Sequence, residues 1–231
     1  MTAGPPAGLD PFEIFDAEAA RLDRFFASLD EEGWRKPSRN SGWSVRDVLG
    51  HLAGEELYNH ACLDDDLDGF LAAVGGVGGG VDGFNEWCVR ERRSRPVGEV
   101  LAEWREKNAR TRRRMRALGR DAPLPTLAGP YPAGRQALHY SSEYATHADD
   151  VAAPVTADEA AGRTGWRVLV GLLALAERDA PVSVATTVPD RRLRVRAAED
   201  EANLTPAQFV EATVGRLPDD RPLITALRCL A

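Results

Sequence analysis

Apolar residues recur three and four positions apart along four long stretches of the chain, which is the spacing of helices that bury one face. The stretches run from Asp10 to about Leu29, from Ser44 to about Leu67, from Val97 to Leu118 and from about Gly134 to Ala152. Asp10 and Ser44 carry side-chain oxygens that can cap the first turn of a helix. Four such helices are the number that packs around one core as a bundle.

After Pro154 the pattern mixes helical spacing with the alternation of strands. Residues 163–178 are predicted to form another apolar helix, and Thr205, followed by a proline, is predicted to cap the last one. Residues 182–188 and 193–197 alternate or are β-branched and are separated by Pro-Asp-Arg-Arg. This arrangement predicts a β-hairpin.

The change of pattern predicts two domains. With 231 residues, the chain has room for a main domain and a small appendage. We therefore predict a mainly α protein, with a four-helix bundle over residues 10–153 and a small α/β C-terminal domain over residues 155–231 packed on that bundle. Residues 1–9 are expected to form a disordered leader.

A glycine-rich stretch, residues 72–83, invites interpretation as a phosphate-binding loop. That motif needs a preceding strand and a following Gly-Lys-Ser/Thr, and neither is present. A flexible loop, which could cover a pocket as a lid, is the better interpretation.

The formal net charge of −7 argues against a nucleic acid or an anionic membrane as partner. The helix predicted over 97–118 has a basic second half, 105–120, but it lacks interleaved aromatic residues. We expect that half to be a solvated face or a wall that faces an anion.

Three widely spaced cysteines, Cys62, Cys88 and Cys229, offer no Cys-x-x-Cys pair and no disulfide framework. The first residues lack the basic and apolar regions of a secretion signal. The apolar run 168–176 is too short to span a bilayer. Together these features lead us to expect a cytoplasmic protein.

The candidate chemistry lies in the fourth predicted helix. Glu143 and His147 are four residues apart, so they lie on one face, about 6 Å apart along the axis. A carboxylate and an imidazole at this spacing can bind one metal ion, and His51 in the second helix is the best candidate for a third ligand. Glu55, one turn beyond His51, could line the same cavity.

The same helix has a simpler interpretation. Its polar residues form a continuous stripe, which is most often a solvated face; they are His139, Ser142, Glu143, Thr146, His147 and Asp150. His139, four residues before Glu143, could also replace either of the other histidines as a ligand. Spacing alone leaves these interpretations open.

Two segments together resemble a known family. Residues 42–52, Gly-Trp-Ser-Val-Arg-Asp-Val-Leu-Gly-His-Leu, and the pattern Glu143-x-x-x-His147-x-x-Asp150-Val151 are similar to the DinB-like superfamily. The resemblance is closer to its mycothiol-dependent maleylpyruvate isomerase-like branch, which is found in actinobacteria. Residues 214–217, Val-Gly-Arg-Leu, resemble a Gly-Arg element in the C-terminal domain of that branch.

The resemblance implies a DinB-like four-helix bundle that holds a divalent metal through His51, Glu143 and His147. His139 does not match a family ligand position. Zinc is the first expectation, and the donor set also suits iron or nickel. The resemblance further implies mycothiol as the thiol co-substrate, and it makes Arg216 the candidate catalytic residue, because a guanidinium can bind a substrate carboxylate through two hydrogen bonds.

The expected function is therefore that of a metal- and thiol-dependent isomerase or S-transferase. Its partners would be a small electrophilic substrate and a low-molecular-weight thiol, and the protein would be a monomer or homodimer. Two other classes remain open at this point. One is a hydrolase in which zinc activates water, and the other is a non-enzymatic bundle that binds a metal or small molecule.

Overall fold

The computed structural model describes residues 8–187, 192–218 and 221–230. The chain divides into two compact units, with a boundary between Pro154 and Val155. Most of the expected leader, residues 1–7, lies outside the described residues. Among the helices that the structure describes, none is long and apolar enough to cross a membrane.

The first unit is a bundle of four long helices with three shorter ones. The helices are α1 (Pro11–Ala27), α2 (Glu31–Arg35), α3 (Val45–Asp64), α4 (Leu67–Val74), α5 (Gly80–Arg92), α6 (Val97–Leu118) and α7 (Ala133–Asp150). A two-residue antiparallel pair, β1 (Pro123–Leu124) and β2 (Tyr131–Pro132), lies between α6 and α7. Helices α1, α3, α6 and α7 are the four that the hydrophobic pattern predicts, and the mainly α bundle is confirmed.

Side-chain caps fix where the first long helices begin. The Asp10 carboxylate accepts hydrogen bonds from the backbone N–H groups of Phe12 and Glu13 at the start of α1. At the start of α3, Ser44 caps the helix as predicted, and its hydroxyl and the Asp47 carboxylate accept hydrogen bonds from each other's backbone N–H, which forms a capping box. These bonds satisfy donors that would otherwise lack a partner in the first turn.

The core of the bundle lies between the long helices. It contains the predicted apolar face of α1, namely Phe15, Ala19, Leu22 and Phe26, all at most 2% exposed. The largest fully buried side chains include Trp104 of α6 and Tyr144 of α7. The ring of Tyr144 packs edge-on against Phe15, and the ring of Trp104 packs edge-on against Phe26. The helices that carry the candidate ligands are therefore held by a common core.

Two short helices escape prediction from the sequence, and a third begins earlier than predicted. Helix α2 lies in a stretch whose sequence indicates a loop, and the second long helix ends at Asp64, so that α4 follows it. The sequence predicts a short helix over residues 84–93, and α5 begins before it, at Gly80 inside the glycine-rich stretch. Helices this short are marginal on their own and form where tertiary contacts support them. Their glycines and polar residues leave little periodicity to detect.

Helices α3 and α5 approach closely at Gly54. A Cβ atom added there would lie 2.3 Å from Cys88 Cβ and 2.5 Å from Cys88 Sγ. We expect Gly54→Ala to lower the free energy of unfolding by about 1–3 kcal/mol, because the added methyl overpacks a rigid contact. Urea-induced unfolding measures the change.

Gly50, one turn earlier on α3, is the matched control. A Cβ atom there would meet Arg92 Cβ at 3.5 Å, an ordinary contact. Gly50→Ala should be neutral or stabilising, since alanine favours a helix over glycine by about 1 kcal/mol. Equal unfolding midpoints for the two variants would show that the α3–α5 contact is looser than described.

The basic half of α6 pairs with carboxylates of the same bundle. Arg112 and Arg116 both contact Asp16 of α1, and Arg114 contacts Asp64 at the end of α3. These three side chains are partly exposed, so they belong to a solvated face, and their ion pairs connect α6 to its two neighbours.

The second unit combines helices with a small sheet. Its elements are α8 (Ala157–Glu177), β3 (Ser183–Thr187), β4 (Arg192–Ala197), β5 (Asp200–Leu204), α9 (Pro206–Thr213) and α10 (Pro222–Leu227). The strands form an antiparallel sheet in the order β3-β4-β5. The α/β character is confirmed, although the predicted turn, residues 188–191, lies outside the described residues.

Strand β5 and helix α10 were not predicted. Strand β5 has the sequence Asp-Glu-Ala-Asn-Leu, and only Ala202 and Leu204 are buried. Two apolar positions give too short an alternation to predict a strand, so pairing with β4 determines its conformation. Packing of residues 155–231 on the bundle stays a prediction.

Candidate metal centre

The three predicted ligands converge in the first unit. His51 lies on α3, while Glu143 and His147 lie one turn apart on α7. Glu143 Oε1 is 3.0 Å from His51 Nε2 and 3.0 Å from His147 Nε2. The donor atoms of all three residues lie within 4.8 Å of one another. Residues 92 positions apart in sequence are thus brought to one point.

The geometry and chemistry of these donors suit a divalent metal. In a tetrahedral site with bonds of about 2.1 Å, neighbouring ligand atoms are roughly 3.4 Å apart, so a small opening of the cluster accommodates an ion. Two imidazoles and one carboxylate leave a position for a further ligand, as catalytic zinc sites do. His51 and His147 are almost fully buried, whereas the Glu143 side chain is 29% exposed, which leaves a path to solvent.

Asp150 orients His147. Its Oδ2 lies 3.1 Å from His147 Nδ1, and the Asp150 side chain is fully buried. When Nδ1 carries the proton and donates a hydrogen bond to this carboxylate, the Nε2 lone pair faces the candidate metal position. Such carboxylate–histidine contacts fix the tautomer and ring orientation of metal ligands. Asp150, which the sequence places in the polar stripe and in the family motif without a role of its own, is thus a positioning residue.

The buried cluster shifts the pKa values of its groups in opposite directions. Burial lowers the pKa of His147, but the Glu143 and Asp150 carboxylates outweigh it and raise that pKa to about 9. For His51, burial dominates and lowers the pKa. Burial raises the pKa of Glu143, but the two histidines reverse this and hold it well below its ordinary value. An anionic Glu143 between two imidazoles is the form that binds a cation.

Trp43 forms a wall of the cluster. Its ring centroid lies 5.2 Å from that of His51 and 6.4 Å from that of His147. The indole Nε1–H donates to Glu86 Oε2 of α5 at 3.1 Å. No role for Trp43 beyond its motif follows from the sequence, because the contact depends on a loop residue folding back over α3.

A second, deeper polar network lies beside the cluster. Glu56, fully buried, accepts hydrogen bonds from side chains of α3, α6 and α7; the donors are Asn59, Asn108, Thr111 and Tyr144. The Tyr144 hydroxyl in turn accepts from Trp104 Nε1 at 2.9 Å. This network joins the two helices that carry the candidate ligands, and Tyr144 directly follows Glu143.

A signal for this network exists in the sequence. Glu56 continues the apolar stripe of α3 four residues beyond Leu52, where a carboxylate needs internal hydrogen-bond donors. The sequence alone does not say that Asn108 and Thr111 supply them.

The polar stripe of α7 is not a solvated face, since Ser142, His147 and Asp150 are all at most 4% exposed.

Two other candidate residues, His139 and Arg216, are not among the convergent donors. His139 Nε2 pairs with the Tyr131 hydroxyl at 2.9 Å and is outside the convergent set. Arg216 belongs to the second unit, three residues beyond α9, where Nη1 donates to Val214 O at 3.4 Å. Its catalytic role stays a prediction.

All three cysteines are buried and unreactive in character. They are free thiols, each at most 4% exposed. Burial raises the pKa of Cys62, that of Cys88 to about 12, and that of Cys229 to about 11. Because the thiolate is the nucleophilic form, none of them is suited to attack a substrate at neutral pH.

Comparison with protein families identifies the first unit. The family model described as mycothiol maleylpyruvate isomerase N-terminal domain matches residues 15–152. Two uncharacterized proteins from strains of Mycobacterium tuberculosis are 25% identical over 136 residues, which is 59% of this chain and 52% of each relative. The chain therefore spans about half the length of the curated relatives it matches.

Two solved structures share the fold. Both are crystal structures of the mycothiol-dependent maleylpyruvate isomerase, one of them a histidine-to-alanine mutant. They superpose with TM-scores of 0.61 and 0.60 at 15% identity, over 89% of this chain and 88% of each neighbour. At this identity the likeness shows the architecture, a mainly α bundle followed by a segment with a small sheet.

Proposed function

This chain belongs to the mycothiol maleylpyruvate isomerase N-terminal domain family, and on that premise we propose that it is a metal-dependent isomerase or S-transferase that uses a low-molecular-weight thiol on a small electrophile. The thiol of the family name, mycothiol, is the proposed co-substrate. Zinc is the proposed metal, with iron or nickel as alternatives that the same donors would bind.

One observation carries the proposal, namely the convergence of His51 Nε2, Glu143 Oε1 and His147 Nε2 within 4.8 Å. These residues would hold the ion, and Asp150 would keep His147 in the tautomer that binds it. A bound divalent metal holds a coordinating thiol in its deprotonated form. Three protein ligands leave the position that this chemistry requires.

The residues around the cluster would confine the reaction. Trp43 covers one side of the two imidazoles, and the partial exposure of Glu143 leaves an approach for the substrate. For a maleyl-type substrate, the sulfur adds to one carbon of the double bond, the resulting single bond rotates, and loss of the sulfur restores the double bond. Other electrophiles would retain the sulfur and give S-transfer.

The state of the cysteines supports an external thiol. With all three buried and their pKa values raised, the chain supplies no thiolate of its own at neutral pH. Arg216 is proposed to bind a substrate carboxylate through two parallel hydrogen bonds, which is the geometry that a guanidinium favours. Support for this role comes from the resemblance of residues 214–217 to the Gly-Arg element.

The test is turnover by metal-replete protein with and without added mycothiol, on maleyl-type, epoxide and quinone electrophiles. We expect turnover only with thiol, and we expect a variant with all three cysteines replaced to retain it. Equal rates with and without thiol would contradict the proposal and indicate metal-activated water. Metal binding without turnover of any electrophile would indicate a binding protein.

A further inference from the structure

Glu55 is a buried carboxylate without an adequate partner. It is only 7% exposed, and its Oε1 has no hydrogen-bond partner among the described residues. The other oxygen, Oε2, lies 3.8 Å from His51 Nε2, beyond hydrogen-bond distance. A carboxylate in such a place is unfavourable unless a cation or several donors compensate it.

The neighbouring Glu56 shows how this fold satisfies a buried carboxylate. Both of its oxygens are used, since Oε1 accepts from Asn108 and Tyr144 while Oε2 accepts from Thr111 and Asn59. Glu55 has no such set of donors, and within the described part of the chain no lysine or arginine forms an ion pair with it. Without such donors, the carboxylate is compensated either by its own proton or by a cation from outside the polypeptide.

The position of Glu55 beside the candidate metal centre favours a metal cation. His51 and Glu55 lie one turn apart on α3, on the same face, in the i,i+4 arrangement that also relates Glu143 to His147 on α7. Two pairs of potential ligands thus face one another across the cluster. A cation held by His51, Glu143 and His147 would lie next to the unpartnered carboxylate.

We propose that Glu55 is a fourth, displaceable ligand of the metal, which occupies the remaining position until the thiol co-substrate replaces it. The proposal rests on the proposed function and specifies the resting state of that same site. The three convergent donors do not include Glu55, so its carboxylate must turn towards the ion to bind. A carboxylate that rotates towards the ion to bind can also rotate away and release it.

Charge supports this exchange. With Glu143 and Glu55 both bound, two carboxylates balance a divalent ion in a buried site. When the thiol binds, its proton would pass to Glu55, the metal–oxygen bond to Glu55 would break and a metal–sulfur bond would form, so that the released carboxyl group is neutral. One anionic ligand replaces another, so the charge at the metal does not change. Unpaired buried charge, the costly alternative, is avoided in the resting state.

Cobalt(II) substitution tests the proposal, because the visible spectrum of bound cobalt(II) reports the number and type of its ligands. The proteins are wild type, Glu55→Gln and Glu55→Leu, each loaded with one equivalent of cobalt(II) without thiol. We expect the visible bands of both variants to differ from those of wild type. We also expect cobalt(II) affinity to fall by about 10-fold or more, the size of effect seen when supporting groups of a site are lost.

Mycothiol titration of the same samples gives the second readout. Because Glu55 competes with the sulfur, we expect both variants to bind mycothiol several-fold more tightly than wild type. The control is Glu91→Gln, which removes one exposed carboxylate of α5 and should leave spectrum and affinity unchanged. The leucine variant keeps the test valid if the glutamine variant folds poorly, since an apolar side chain suits a buried position.

The outcomes separate this inference from the proposed function. Wild-type spectra in both variants, or weaker mycothiol binding, would overturn the role of Glu55 while the three-ligand site stands. Failure of wild type to bind cobalt(II) would overturn the proposed function and this inference together. Altered spectra with tighter mycothiol binding would establish the displaceable ligand.

Discussion

Replacement of His147 by alanine is expected to abolish both metal binding and thiol-dependent turnover. His147 Nε2 is one of three convergent donors, and two remaining ligands hold an ion far more weakly than three. Loss of a residue that merely supports a ligand costs about 10–100-fold in metal affinity, and loss of the ligand itself should exceed this. Metal content after dialysis and calorimetric titration with zinc measure the effect.

Two variants of the same helix calibrate this result. Asp150→Asn keeps the ligand but weakens the contact that orients it, so its metal affinity should lie between that of wild type and that of His147→Ala. His139→Ala removes a histidine that pairs with Tyr131 outside the cluster, and it should bind metal as wild type does. Full metal occupancy in His147→Ala, or equal losses in His139→Ala, would contradict the assigned centre.

Replacement of Glu56 by leucine is expected to lower the free energy of unfolding by about 3 kcal/mol or more. The carboxylate accepts hydrogen bonds from four donors inside the bundle, and each buried donor left without a partner costs about 1–3 kcal/mol. The hydroxyls of Thr111 and Tyr144 can turn to other acceptors, so the two amides of Asn59 and Asn108 dominate the loss. Urea-induced unfolding of the metal-free protein measures it.

Graded and remote substitutions serve as controls for this prediction. Glu56→Gln keeps the shape and one acceptor, so it should be less destabilising than leucine. Glu106→Leu removes an exposed carboxylate of α6 and should change stability by about 0.5 kcal/mol or less. A loss below about 1 kcal/mol in Glu56→Leu would mean that the network contributes little to joining α3, α6 and α7.

The long helices and the candidate ligand types are determined by local sequence. The apolar positions of α1 recur at helical spacing, and Asp10 and Ser44 provide caps, so the beginnings of α1 and α3 need no tertiary information. The pairing of Glu143 with His147 is also local, because four residues on a helix always make one turn. His51 is a candidate third ligand from the sequence, but no spacing rule connects it to α7, and the family motifs supply that connection.

Tertiary packing decided what these same residues do. The polar stripe of α7 is compatible with solvent on the sequence alone, but in the fold Ser142, His147 and Asp150 are buried, and His147 lies against Trp43 and His51. The roles of Glu55 and Glu56 differ for the same reason. They are adjacent and chemically identical, but the donors of α6 and α7 reach only Glu56. Burial and hydrogen-bond partners depend on residues distant in sequence, and a helical pattern cannot specify them.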